Sequence, residues 1–77
     1  MDNYSIMIKI ESNRQYCGMY GQECGEFGAS HARARTFDSY LSAIKCARML
    51  ASMYPGYIFH TVDSVGVVIY TYDSATK

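Results

Sequence analysis

Only one stretch of this chain, DSYLSAIKCARMLASMYPG at residues 38–56, repeats its apolar residues at helical spacing, and this limits the fold more than any other feature. Tyr40, Ala43, Ile44, Ala47, Leu50, Ala51 and Tyr54 follow one another in steps of three or four, and Lys45, Arg48 and Ser52 fall outside that stripe. Asp38 or Ser39 can cap the start by accepting a hydrogen bond from an orphan backbone N–H. Pro55 and Gly56 end the helix at about residue 54, because proline cannot continue it and disfavours helical geometry in the residue before it. A single helix buries a single stripe, so the rest of the core must come from strands.

Strand signals flank the helix on both sides. In YSIMIKIE, residues 4–11, Tyr4, Ile6, Ile8 and Ile10 alternate with Ser5, Met7, Lys9 and Glu11, as in a half-buried strand. Turn residues at 12–14 lead into QYCGMY at 15–20, with Tyr16, Gly18 and Tyr20 opposed to Cys17 and Met19, and the pair reads as a hairpin. GQECGEFGAS at 21–30 has three glycines and no period, and reads as a loop or widened turn. HARARTF at 31–37 alternates His31, Arg33, Arg35 and Phe37 with the small residues Ala32, Ala34 and Thr36, which suggests a short strand with its small residues turned inward. After the helix, YIFHTV at 57–62 and GVVIYTY at 66–72 are rich in β-branched and aromatic residues and form a second hairpin around DSV.

In the last strand Val67 and Ile69 are expected to face the helix, with Val68, Tyr70 and Tyr72 on the other side. In 57–62 the two faces score alike, and the pattern does not choose between Phe59 and His60. The expected fold is α+β in two layers, one helix packed on an antiparallel sheet in the order ββ(β)αββ, forming a single domain over residues 1–77. One helix leaves the second sheet face uncovered, and Met7, Lys9, Tyr16, Tyr20, Arg33, Arg35, Tyr70 and Tyr72 are placed on it.

Composition narrows the function classes. Seven basic residues balance seven acidic ones, so the molecule lacks both the positive field that steers proteins to nucleic acid and the negative excess of a DNA mimic. Three cysteines at unpatterned spacings point to thiols in a reducing compartment, and the first residues lack the basic head and apolar run of a signal peptide. A cytoplasmic protein is expected, the host cytoplasm if the chain is phage-encoded.

No constellation supplies chemistry. Cys17, Cys24 and His31 stand seven residues apart, whereas structural zinc sites use ligand pairs two to four residues apart, and Cys46 or His60 would have to complete the set. Cys24 with His31 or His60 lacks the strand-to-helix elbow of an activated nucleophile, and Cys46 sits in a helical run where small apolar packing is usual. Glu23 and Glu26 lie in a glycine-rich loop with no apolar pocket to raise a pKa. The same loop has no Lys-Ser or Lys-Thr pair and no following helix, as a phosphate loop would need. No catalytic residue, metal or cofactor is expected.

What remains is a surface. Tyr and Arg are enriched at protein-binding hot spots because each buries a large area while keeping a directed polar group. Tyr16, Tyr20, Arg33, Arg35, Tyr70 and Tyr72 are therefore the expected partner-binding residues. The same side chains could stack bases and hold phosphates of single-stranded nucleic acid, although no RNP-type motif is present. An exposed strand edge could add a partner strand, and an open face could bury itself against a second copy.

In size and in the succession of YSIMIKIES, RARTFDSYLSAIKCARMLASMYP and the closing hairpin, the chain resembles the small single-domain proteins with which phages disable bacterial defences, anti-CRISPR proteins in particular. The resemblance is one of organisation and transfers no functional residues. It implies a non-enzymatic inhibitor that binds a host nuclease or surveillance complex. With a neutral charge, steric or allosteric obstruction is the implied mechanism.

Overall fold

A computed structural model of the chain describes residues 6–23 and 25–73. The expectations for Tyr4, Ser5 and Cys24 lie outside these residues. The architecture is α+β, with one helix packed on a four-stranded antiparallel sheet. Strand β1 spans Met7–Ser12, β2 Gln15–Met19, helix α1 Tyr40–Met53, β3 Ile58–Val62 and β4 Val68–Asp73. The order across the sheet is β2-β1-β3-β4, so β2 and β4 are its edges.

The Ser39 hydroxyl caps α1 by accepting from the Ser42 N–H, and the Tyr54 N–H closes the other end on the Leu50 carbonyl. Ala43, Ala47 and Leu50 are the buried residues of the helix. Ile44, Ala51 and Tyr54 are half-buried, and Tyr40, expected in the core, is exposed at the start of the helix. Alanine at two successive turns lets the helix lie close to Ile8, Ile10 and Phe59.

Register settles the faces that periodicity left open. Ile10 stands opposite Phe59 and Ile8 opposite Thr61, so Phe59 turns towards the helix and His60, opposite Lys9, turns away. Because Phe59 pairs with Tyr72 and Thr61 with Tyr70, both tyrosines of β4 share the helix side. This overturns the expected side of Tyr70 and Tyr72, whereas Val68, paired with Val62 beyond a register shift, stays on the face away from the helix as expected. VVIYTY is apolar on both faces, so its own pattern could not fix which face turns inward, and pairing with β3 does.

A bulge separates two further tyrosines. Ile10 faces Gly18 but Glu11 faces Tyr16, so Cys17 is the extra residue. Tyr16 is thereby shifted to the side of Lys9 and Glu11, while Tyr20 goes to the helix side and is 3% exposed.

Residues 20–37 do not form a regular strand. A 3-10 turn at His31–Arg33 is followed by isolated bridges at Ala34 and Phe37, and Ala34 alone of the three small residues is buried. The segment folds back along β2. The Met19 N–H donates to the Ala29 carbonyl at 3.0 Å and the Ala29 N–H to the Met19 carbonyl at 2.9 Å. The Arg35 N–H donates to the Tyr20 carbonyl at 2.8 Å. Ala29 and Ala34 then cover Met7, Met19 and Val62 on the face away from the helix. The second face is therefore partly covered, contrary to the expectation from a single helix.

Phe27 anchors the return. Its ring packs edge-on against Tyr54, Tyr57 and Phe59 at 5.0, 5.4 and 6.0 Å and against Tyr20 at 6.2 Å. To reach that position the backbone passes over β2 at a point where a Cβ on Gly18 would stand 2.3 Å from the Gly28 Cα. Gly18 also has φ +129°, where side chains are strained. Gly18→Ala should therefore lower the unfolding free energy by roughly 3 kcal/mol or more in a urea melt. Gly66→Ala, at φ +91° with nothing near the added carbon, should cost only about 1–2 kcal/mol. Equal losses would show that the crossing is not a constraint.

Candidate functional site

The six residues expected to bind a partner do not share a face. Tyr20 is buried in the core. Arg35 is half-buried and ties the loop together: its Nε donates to the Gly21 carbonyl at 3.2 Å, its Nη2 to the Gln22 carbonyl, and its guanidinium lies over the Tyr20 ring at 5.4 Å. Arg33 is exposed and pairs with Glu26 at 3.4 Å, a surface ion pair worth little. Tyr16 is exposed on the face away from the helix. Tyr70 and Tyr72 pack ring to ring at 4.8 Å on the helix side. Desolvation, and then the hydrogen bond and charge of Tyr70, raise the Tyr72 phenol above its ordinary value of 10.0.

The face away from the helix carries a polar row across all four strands. Lys9 Nζ lies 3.2 Å from Glu11 and 5.3 Å from the centre of the Tyr16 ring. His60 Nε2 is 3.5 Å from Glu11 Oε1, and His60 Nδ1 is 3.0 Å from the Thr71 hydroxyl. Beside this row, Lys9, Tyr16 and His31 rim a concavity of about 320 Å³ with Met19 and Val62 in its lining. Glu11 already neutralises the cation there, so the concavity has little charge with which to select an anion. Among the described residues no group of three or more His, Cys, Asp or Glu side chains comes together, and Cys17 is an exposed thiol while Cys46 packs half-buried on the core.

A run of exposed apolar residues lies elsewhere, along β4. Among the described residues β4 pairs only with β3, leaving its outer backbone edge open. Val65, Val67, Val68, Ile69 and Tyr70 are 41–79% exposed along this edge and its turn. The register shift between Thr61 and Val62 brings Val68 opposite Val62 and leaves Ile69 as the extra residue. Ile69 lines a groove of about 450 Å³ with Ile6, Asp38, Ser39, Tyr40 and Asp63. The Asp63 carboxylate accepts from the Val65 and Val67 N–H groups at 3.0 and 2.9 Å, which shapes the turn at the end of the groove. The edge-strand signal was present in GVVIYTY, an apolar run with no charge and no proline, but only the strand order identifies it as an edge.

No helix of the described residues is long and apolar enough to cross a membrane. Family models, curated proteins and solved structures contain no match to this chain.

The polar row has a pH signature. The Glu11 carboxyl is held below its ordinary value of 4.5, chiefly by the hydrogen bond from Lys9 and further by the charge and hydrogen bond of His60, with desolvation acting in the opposite direction. The associated stability is complete above the unfolded value and is lost as pH falls through the lower folded value. From about pH 5 to about pH 3 the wild type should lose stability more steeply than Glu11→Gln, as chemical denaturation at each pH would measure. Parallel curves would mean that the row contributes nothing.

Proposed function

We propose that this chain acts without catalysis, as a protein-binding inhibitor that obstructs a bacterial defence assembly such as a CRISPR–Cas surveillance complex, and that it binds through β4 and the adjoining start of α1. The observation that carries this reading is the open edge of β4 with its contiguous exposed Val68, Ile69 and Tyr70. Proteins usually shield such an edge with charge, proline or a covering segment, and an unshielded apolar edge is a site for another chain. Tyr40, 52% exposed at the start of the helix, lines the groove with Ile69 and adds to the apolar surface beside it. The defence-assembly part of the proposal rests on the resemblance in organisation to phage inhibitors.

The tyrosine and arginine side chains that a base-stacking surface would need are divided between the core, the returning loop and both sides of the sheet. Protein contact is therefore the reading better supported than single-stranded nucleic-acid binding.

Tagged protein expressed in bacteria with an active CRISPR–Cas system should co-purify with a component of that system and raise phage plating. Ile69→Glu should weaken that association at least tenfold with an unchanged melting temperature, and Tyr16→Ala should leave it intact. Retention of the partner by the Ile69 variant would overturn the proposed surface. Recovery of nuclease-sensitive nucleic acid in place of a protein would overturn the proposed function.

A further inference from the structure

The groove beside Ile69 allows the partner's chemistry to be specified. We infer that the open edge of β4 takes an extended segment of the partner as a fifth strand, and that this segment carries a lysine or arginine whose cation lies between Asp38 and Asp63. This deepens the proposed function and rests on β4 being the contact surface.

Three observations support the occupant. The outer edge of β4 offers backbone N–H and C=O groups over residues 68–72, and alternate side chains of an added strand would fall on the helix side, above Ile69 and Tyr70. At the Val68 end of the edge, two carboxylates line the groove and, among the described lining residues, no Lys, Arg or His does. The start of α1 is also there, but its dipole supplies only about half a positive charge against two negative ones. The apolar walls from Ile6, Tyr40 and Ile69 suit the aliphatic stem of a lysine or arginine, with the charge held at the acidic rim.

A second copy of this chain fits less well. Antiparallel pairing of two β4 strands would bring no cation to the Asp38 and Asp63 end, because residues 68–73 contain no Lys, Arg or His. A heterologous strand with a basic residue meets the same surface with opposite charge.

The test uses the isotope-labelled full chain and three synthetic peptides: an alternating valine–threonine hexapeptide with one lysine, and the same peptide with glutamate or norleucine in place of the lysine. With the lysine peptide, amide shift changes should concentrate on Val68–Asp73. Affinity should fall about tenfold for the glutamate peptide and for the Asp38→Asn/Asp63→Asn double variant. Asparagine at 63 can still accept from Val65 and Val67, so the turn is kept while the charge is removed. Equal binding of the lysine and glutamate peptides, shift changes away from β4, or no binding at millimolar peptide would overturn the inference. None of those results would restore partner capture to the Ile69→Glu variant, so failure of strand addition is distinguishable from failure of the proposed surface.

Discussion

The close crossing of two backbones at Gly18 and Gly28 sets the conditions for the rest of the structure. Only a residue without a Cβ allows the returning chain to pass over β2 at that distance. The crossing delivers Phe27 to the aromatic cluster of Tyr54, Tyr57 and Phe59 on one face, and Ala29 and Ala34 to Met7, Met19 and Val62 on the other. One loop thus completes both cores. In a domain this small, where one helix cannot cover a whole sheet, that second use of the chain supplies burial that no further element among the described residues provides.

The same loop makes the two edges of the sheet unequal. Backbone bonds from Met19, Gly21, Ala29 and Arg35 close the β2 side. At its Met19 end that edge is bonded and covered, while Gln15, Tyr16 and Cys17 at its start are exposed. At the β4 side, among the described residues, the ladder simply stops, and the exposed residues there are apolar. Arg35, which as a sequence feature suggested a contact for a partner, serves instead to hold the loop that closes β2.

Much of the fold was legible because its periods are strong. The alternation of Ile6, Ile8 and Ile10, the alanine-lined helix with its Ser39 cap, and the closing hairpin each follow from local patterns that agree with the final packing. Three features were not. The bulge at Cys17 moves Tyr16 away from Tyr20, and in QYCGMY only Gly18 hints at a break, without saying which side chains change face. The β4 parity depends on pairing with β3, since both faces of VVIYTY are apolar. Phe27 lies in a glycine-rich stretch with no period, and its role arises from contacts far along the chain. The candidate site was less legible than the fold for the same reason: residue types that favour binding, Tyr and Arg, were countable, but which of them remain exposed depended on register and on the path of the loop.

Amide hydrogen exchange on the isolated, dilute chain tests the inequality of the edges most directly. Slow exchange at Met19, Gly21, Ala29 and Arg35, with fast exchange at alternate residues of Val68–Asp73, is the expected pattern. Slow exchange at every amide of β4 in the monomer, or fast exchange at Met19 and Ala29, would contradict it.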